Sequence, residues 1–322
     1  MEEQILRRYL ISSDWHIRLL NPKNRIDFYY ASQKMKVRWI LRLYKELKCD
    51  ALLVPGDIFD SSSSPYLCIG DYIRIFLSTR GIKFLTIFGQ HDLRYHSLKS
   101  KKNTPLWSFL SALSTTTIDD NPFVDEDAGI CINGASWSQQ IPEIRPNFFN
   151  ILLIHKLVTH SGPLWPGQKS HTYTEARTLL QNNSNYNVIL SGDNHQSFRF
   201  NTDKQLLINA GTIVRNKIDL FDFKPRVGIL TIYKNHSYSF DWKYIPIQSG
   251  QKVFRDISEV IQTFDELEAN PELENFITSL RTHSLDKPDF VKDLRHSLTI
   301  LDDKEVKDEI LDILANLKQK SE

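Results

Sequence analysis

The sequence predicts an α/β fold, on three observations. Short apolar runs of strand length alternate with longer stretches of helical periodicity. The runs are apolar throughout rather than alternating, as in strands covered on both faces. Hydrophobic residues make up 41% of the 322 positions, enough for a large core and too many for a disordered chain.

In chain order, residues 9–12 read as the first strand, 31–47 as an amphipathic helix and Ala51–Val54 as the second strand. Tyr66–Thr79 reads as a second helix, and 84–88, 151–154 and 188–190 as further buried strands. Such alternation implies βαβ units in a layered core. From about residue 205 the strands come closer together, at Leu206–Asn209, 227–233 and 237–242, and are expected to form a second sheet in the same domain. After about residue 247 helical periodicity takes over: Val306, Ile310, Ile313, Leu314 and Leu317 share one face of a last helix. The charge shifts there too, basic in the first hundred residues and acidic beyond Gly250. The expected organisation is a domain of residues 1–247 and a small helical extension of residues 248–322.

Forty basic residues against 39 acidic ones, a formal charge of +1, argue against a protein that holds nucleic acid by bulk charge alone. Cys49, Cys68 and Cys131 are few, far apart and without a Cys-x-x-Cys pair, which favours a reducing compartment. The start, Met-Glu-Glu-Gln-Ile-Leu-Arg-Arg, has no signal-peptide apolar region. No apolar run approaches the roughly 20 residues that span a bilayer. A soluble, cytoplasmic or nucleoid-associated protein with no membrane association is expected.

Polar residues able to hold a metal gather where the predicted strands end. The first strand leads into Asp14-Trp-His16, the second into Gly56-Asp57-Ile-Phe-Asp60 and the third into Gly89-Gln90-His91-Asp92. The next ends in His155, and the last leads into Gly192-Asp193-Asn-His195. Ligands of α/β sheets collect outside the carboxyl ends of strands, so five segments are expected to converge on one crevice. Glycine before Asp57, Gln90 and Asp193 allows a tight turn that aims each side chain inward. Taken singly, an Asp after a strand is more often a turn or cap residue, and Asp60 reads equally as a cap for the helix near Tyr66. Five strand ends with the right residue types, in order, favour the metal-binding alternative.

Asp-x-His, Gly-Asp-x-x-Asp, Gly-x-His-Asp, a later His and Gly-x-x-His together resemble the calcineurin-like metallophosphoesterase superfamily. Within it the chain is similar to the SbcD-type DNA repair exonucleases, notably their phage forms. Asn209-Ala-Gly211-Thr-Ile-Val-Arg215 resembles the stretch after the final histidine motif there, and Lys224-Pro225-Arg226-Val227 the approach to the next strand. The resemblance implies a four-layer β-sandwich flanked by helices and a centre of two Mn²⁺, with Mg²⁺ as the alternative. Asp14, His16, Asp57 and His195 match the ligands of one metal, with Asp57 bridging to the other. Gln90, His155 and Asp193 match the remaining ligands of the second metal. His91 matches the catalytic histidine, with Asp92 orienting it.

Two positions depart from the family pattern: Gln90 stands for Asn, and Asp193 for the first His of Gly-His-x-His. Gln90 keeps an amide oxygen, whereas Asp193 exchanges a neutral nitrogen for an anionic oxygen, and hard oxygen ligands suit Mn²⁺ or Mg²⁺ better than Zn²⁺. The departures read either as a subfamily variation or as a weakened second site.

The basic and aromatic run after His91, with Arg94, Lys99, Lys101 and Lys102 around Tyr95 and His96, suits a DNA backbone and a stacked base. It reads equally as a solvated charged face. Arg215 and Lys217 are further candidate phosphate contacts. The resemblance also implies an SbcC-like ATPase partner, with the 306–317 helix as a candidate docking element, and a homodimer in many members. The function expected is a DNA exonuclease and endonuclease. The alternatives are an enzyme for a small phosphodiester or phosphoprotein, and a scaffold that binds without cutting.

Overall fold

A computed structural model describes residues 4–165, 167–217 and 220–255. They fall into two compact units, one within residues 4–21 and 27–249, the other within residues 22–26 and 250–255. The expected helix at 306–317 lies outside the described residues.

The chain runs β1 (Ile5–Ile11), α1 (Tyr29–Glu46), β2 (Ala51–Val54), α2 (Tyr66–Thr79), β3 (Phe84–Thr86) and α3 (Pro105–Ala112). It continues through β4 (Phe123–Asp125), β5 (Ile130–Ala135), β6 (Phe149–His155), β7 (Val158–Thr159), β8 (Thr174–Glu175) and α4 (Ala176–Asn182). The larger unit ends with β9 (Val188–Gly192), β10 (Phe198–Asn201), β11 (Leu206–Asn209), β12 (Arg226–Tyr233) and β13 (Tyr238–Tyr244).

Two sheets form its centre. The first has the order β13-β12-β1-β2-β3, the second β10-β11-β9-β6-β5-β4. β1, β2 and β3 pair in parallel through the α1 and α2 crossovers, as do β5, β6, β9 and β11 in the second sheet. The expectation that the strands after residue 205 form a sheet of their own is corrected here. β11 joins β9 in the second sheet, whereas β12 lies antiparallel against β1 and carries β13 to the edge of the first. The reason is burial: Leu230 and Ile232 of β12 belong to the same inter-sheet core as Tyr9 and Ile11, so β12 covers a strand edge that β1 would otherwise expose.

The side-chain period of two sorts each strand between layers. Ile11, Leu53 and Leu85 of the first sheet meet Ile132, Leu153 and Leu190 of the second. The opposite faces carry Leu10, Leu52 and Val54 onto Val37, Ile40, Tyr72 and Phe109 of α1, α2 and α3. Leu152, Ile189 and Leu207 pack on Leu179 and Leu180 of α4. The result is the expected four-layer sandwich, helix–sheet–sheet–helix. α3 starts at a Thr104 cap that accepts from the Trp107 amide, with Pro105 in the first turn, where a missing N–H costs nothing.

The smaller unit is described at residues 22–26 and 250–255, where α5 (Gly250–Val253) leads to a bridge between Arg25 and Phe254.

Candidate metal centre

The carboxyl ends of strands from both sheets deliver the expected residues to one place. Asp14 and His16 follow β1, Asp57 follows β2, and Gln90 and His91 follow β3. His155 ends β6, and Asp193 and His195 follow β9. Four of these residues hold left-handed backbone: Asp14 (φ 47°), His16 (φ 43°), Asp57 (φ 51°) and Asp193 (φ 85°). For non-glycine residues this conformation is uncommon and strained, and it concentrates at functional sites.

The glycines of the motifs act differently from the sequence expectation. Gly56 does supply a positive φ, 88°. Gly89 and Gly192 instead supply space: a Cβ on Gly89 would run into the Asp57 carboxylate, and one on Gly192 into the Pro55 carbonyl.

Three groups of donor atoms lie within 4.8 Å of one another: Asp14, His16 and His195; Asp14, Asp57 and His155; and His16, Asp57 and His91. Asp14, His16 and Asp57 each belong to two of the groups, and Asp57 lies between two histidines. Its Oδ2 lies 3.7 Å from His16 Nε2 and 3.4 Å from His155 Nε2. Asp193 adjoins them through its amide, which donates to Asp14 Oδ1 at 3.0 Å, and accepts on Oδ1 from Gln90 Nε2 at 2.6 Å.

The residues fit a metal. Asp57 Oδ2, His155 Nε2, Gln90 Oε1 and His16 Nδ1 are buried without a hydrogen-bond partner, an arrangement that ordinarily costs free energy. His155 Nδ1 faces the Pro55 carbonyl at 2.6 Å. A carbonyl only accepts, so Nδ1 carries a proton and Nε2 is the ring nitrogen that faces the cluster, the arrangement of a metal-ligating histidine. His16 Nε2 and His195 Nε2 face each other at 3.0 Å, close enough for one ring to donate to the other or for both to turn to one cation.

The electrostatics agree. Burial pushes Asp14 up to about 8 despite the nearby His155 charge. Burial holds His16 well below its ordinary range and brings His195 down to about 4. At His155 burial is outweighed by the charge of Asp57, which lifts it to about 10. Anions this crowded and buried call for positive charge among them, and bound cations supply it. Asp14, His16, Asp57 and His195, and then Gln90, His155 and Asp193, would hold two such ions. The chemistry supplied there is Lewis-acid polarisation of a phosphoryl oxygen and a lowered pKa for water.

His91 is exposed at the rim, its ring edge-on to His16 at 4.9 Å between centroids. Its amide donates to Asp57 Oδ1 at 3.0 Å, and its Nδ1 lies 3.0 Å from the Asp60 carbonyl. Asp60 thus replaces Asp92 as the group that faces the His91 ring. The buried Asp92 carboxylate accepts instead from the amides of Phe59 at 2.9 Å, Gly89 at 3.0 Å and Ile58 at 3.3 Å. It pins two ligand-bearing loops together. Nor does Asp60 cap α2, whose start at Pro65 has no side-chain cap. Its carboxylate pairs with Arg18 at 3.1 Å and approaches His16 Nδ1 at 3.5 Å. Arg18 has no motif signal; Asp60 has one, its spacing from Asp57.

The DNA candidates divide. Arg94, Lys99 and Lys102 are exposed. Lys101 is half-buried and its Nζ is engaged by Asp119 at 2.5 Å and Asp120 at 3.2 Å. Arg215 is only 3% exposed, and its guanidinium donates to the carbonyls of Phe221 and Gln248 at 2.7 and 2.6 Å. Both side chains are thus engaged within the fold.

A profile of calcineurin-like phosphoesterases matches residues 7–197, more than half of the chain and every motif from Asp14 to His195. The chain belongs to that family. Solved structures similar to this phosphoesterase include a dimetal phosphatase from Danio rerio, 7% identical with a TM-score of 0.49 over 76% of this chain and 100% of that one. A novel archaeal phosphodiesterase is 13% identical, with a TM-score of 0.38 over 73% of this chain and 99% of that one. A metallophosphoesterase from Sphaerobacter thermophilus is also 13% identical, with a TM-score of 0.34 over 81% and 93%. Among curated proteins, none matches this phosphoesterase. Phosphoesterases of the family use a dimetal centre, and the protein is a phosphoester hydrolase of this type. Among the described residues no helix is long and apolar enough to cross a membrane.

Proposed function

We propose that this phosphoesterase is a metal-dependent DNA nuclease of the SbcD type, hydrolysing phosphodiester bonds in repair or recombination. The observation that carries the reading is the exposed collar directly after His91. Tyr95 is 85% exposed, and Arg94, Lys99 and Lys102 are exposed around it. Tyr95 and His96 both hold left-handed backbone (φ 53° and 52°), so the turn keeps the aromatic ring outward. Stacking of a base on such a ring is worth roughly 1–3 kcal/mol, and the cations add salt-dependent phosphate contacts. His91, exposed beside the donor cluster, delivers a proton to the leaving oxygen, a role worth about 10²–10⁴ in rate. The oxygen-rich set of Asp14, Asp57, Gln90 and Asp193 favours Mn²⁺, then Mg²⁺. An SbcC-like ATPase is the proposed partner, in the cytoplasm or at the nucleoid.

End-labelled duplex DNA tests this with Mn²⁺ and with Mg²⁺, Asp57→Ala serving as control. Metal-dependent shortening that the control lacks supports the nuclease. Cleavage of bis(p-nitrophenyl) phosphate with DNA left intact sinks it and points to a small phosphodiester.

A further inference from the structure

Beside the metal centre lies a second concavity that the catalytic residues do not use. Gln196 and Ser197, one and two residues beyond the ligand His195, form one wall; Phe223, Lys224, Arg226 and Tyr244 are among its other lining residues. Its volume is about 440 Å³, within the usual range of small-ligand sites, roughly 300–1,000 Å³. Two residues of chain span at most about 7 Å, so the Ser197 wall stands within that reach of His195.

The lining is built rather than incidental. Arg226 and Tyr244 are paired across the β12–β13 ladder. The Arg226 guanidinium lies 4.0 Å from the Trp242 ring centroid and donates to the Ser197 carbonyl at 2.7 Å. It also hydrogen-bonds the Tyr244 side chain, and of the five N–H donors of its fork others remain for a ligand. Lys224 is exposed, and among the described residues it has no hydrogen-bond or ion-pair partner. Tyr244 is 57% exposed and offers an aromatic face. Asp222, also in the lining, adds an acceptor for an amino or hydroxyl group. Two cations, exposed aromatic surface and one acceptor match the phosphate, base and polar edges of a nucleotide.

We propose that this cavity is a nucleotide subsite, taking the nucleoside monophosphate unit next to the scissile phosphate, with Lys224 and Arg226 on its phosphate and Tyr244 against its base. The position beside a scissile phosphate rests on the nuclease reading above; the recognition chemistry does not.

The test titrates 5′-dAMP into the full-length protein and into Lys224→Glu, with binding followed by calorimetry, alongside hydrolysis of bis(p-nitrophenyl) phosphate. Lys224 is exposed, so the substitution leaves the fold intact, and hydrolysis of the chromogenic ester should stay within about twofold. The subsite predicts at least tenfold weaker 5′-dAMP binding in Lys224→Glu, with Tyr244→Ala weakening it as well. Equal binding by wild type and Lys224→Glu, or no binding by wild type, overturns it. A Lys224-dependent 5′-dAMP site in a protein that cuts no DNA would support the subsite and remove the nuclease reading.

Discussion

Asp92→Asn separates two ways in which the Asp92 carboxylate serves the centre. As found, Oδ1 accepts from Phe59, and Oδ2 from Gly89 and Ile58. An amide has one accepting end. If its oxygen keeps Gly89 and Ile58, its NH₂ meets the Phe59 N–H, donor against donor; the flipped amide loses two bonds instead of one. One bond to a charged acceptor is worth roughly 1.5–3 kcal/mol, and a buried donor left unpaired adds about 1. A loss of about 2–4 kcal/mol follows. For a unit of this size 1 kcal/mol shifts Tm by roughly 2–4 °C, so the variant should melt about 4–16 °C lower. Because the two loops also carry Asp57 and Gln90, metal affinity should fall with it. The assay is paired: thermal unfolding by circular dichroism, and Mn²⁺ binding by calorimetry. An unchanged Tm and metal affinity with turnover lost would refute the reasoning, and would return Asp92 to the role of orienting His91.

Asp57→Ala should bring hydrolysis of bis(p-nitrophenyl) phosphate to background and lower the number of bound Mn²⁺ per chain; full stoichiometry would show that Asp57 is not shared. His91→Gln should keep that stoichiometry while turnover falls about 10²–10⁴-fold, and undiminished turnover would take His91 out of the reaction. Lys101→Met strands the buried Asp119, at roughly 3–5 kcal/mol, so urea midpoints should drop while DNA affinity holds; a large fall in affinity without destabilisation would contradict this. Lys99→Ala should weaken DNA binding about equally for all sequences and reduce the slope of log K against log salt by about 1, an unchanged slope counting against contact.

The layers and most of the centre were legible because they obey local rules. Runs such as 151–154 are apolar on both faces, and a ligand at a strand end stands next to the strand that announces it. What escaped depended on pairing. Nothing within 227–233 says that its edge partner is β1 rather than β11, since antiparallel neighbours are chosen by distant burial. β4 and β10 are short edge strands with little periodicity. α3 was readable from Thr104-Pro105, a cap followed by a first-turn proline, but its eight residues offer barely two turns of pattern. Among site residues, Lys101 and Arg215 look like surface cations in sequence. Their partners, Asp119 eighteen positions away and the carbonyls of Phe221 and Gln248, come from folded proximity that residue type does not encode. Asp92 bonds the amides of Phe59, Gly89 and Ile58 instead of the His91 ring, because adjacency in sequence does not bring two side chains together across a turn.

Candidate ligands of the centre come from different sheets: Asp14, His16, Asp57 and Gln90 from ends of the first, His155, Asp193 and His195 from ends of the second. The reaction therefore depends on how the two sheets slide past each other. Their register is set by the apolar layer between them, by residues such as Leu53, Leu153 and Leu190, which touch no substrate. A misplacement of about 1 Å can cost a hundredfold in rate, so truncating one of these remote side chains would act as an active-site mutation. In the other direction, ions gripped by both sheets would fasten the sandwich at that edge, tying its resistance to unfolding to metal supply.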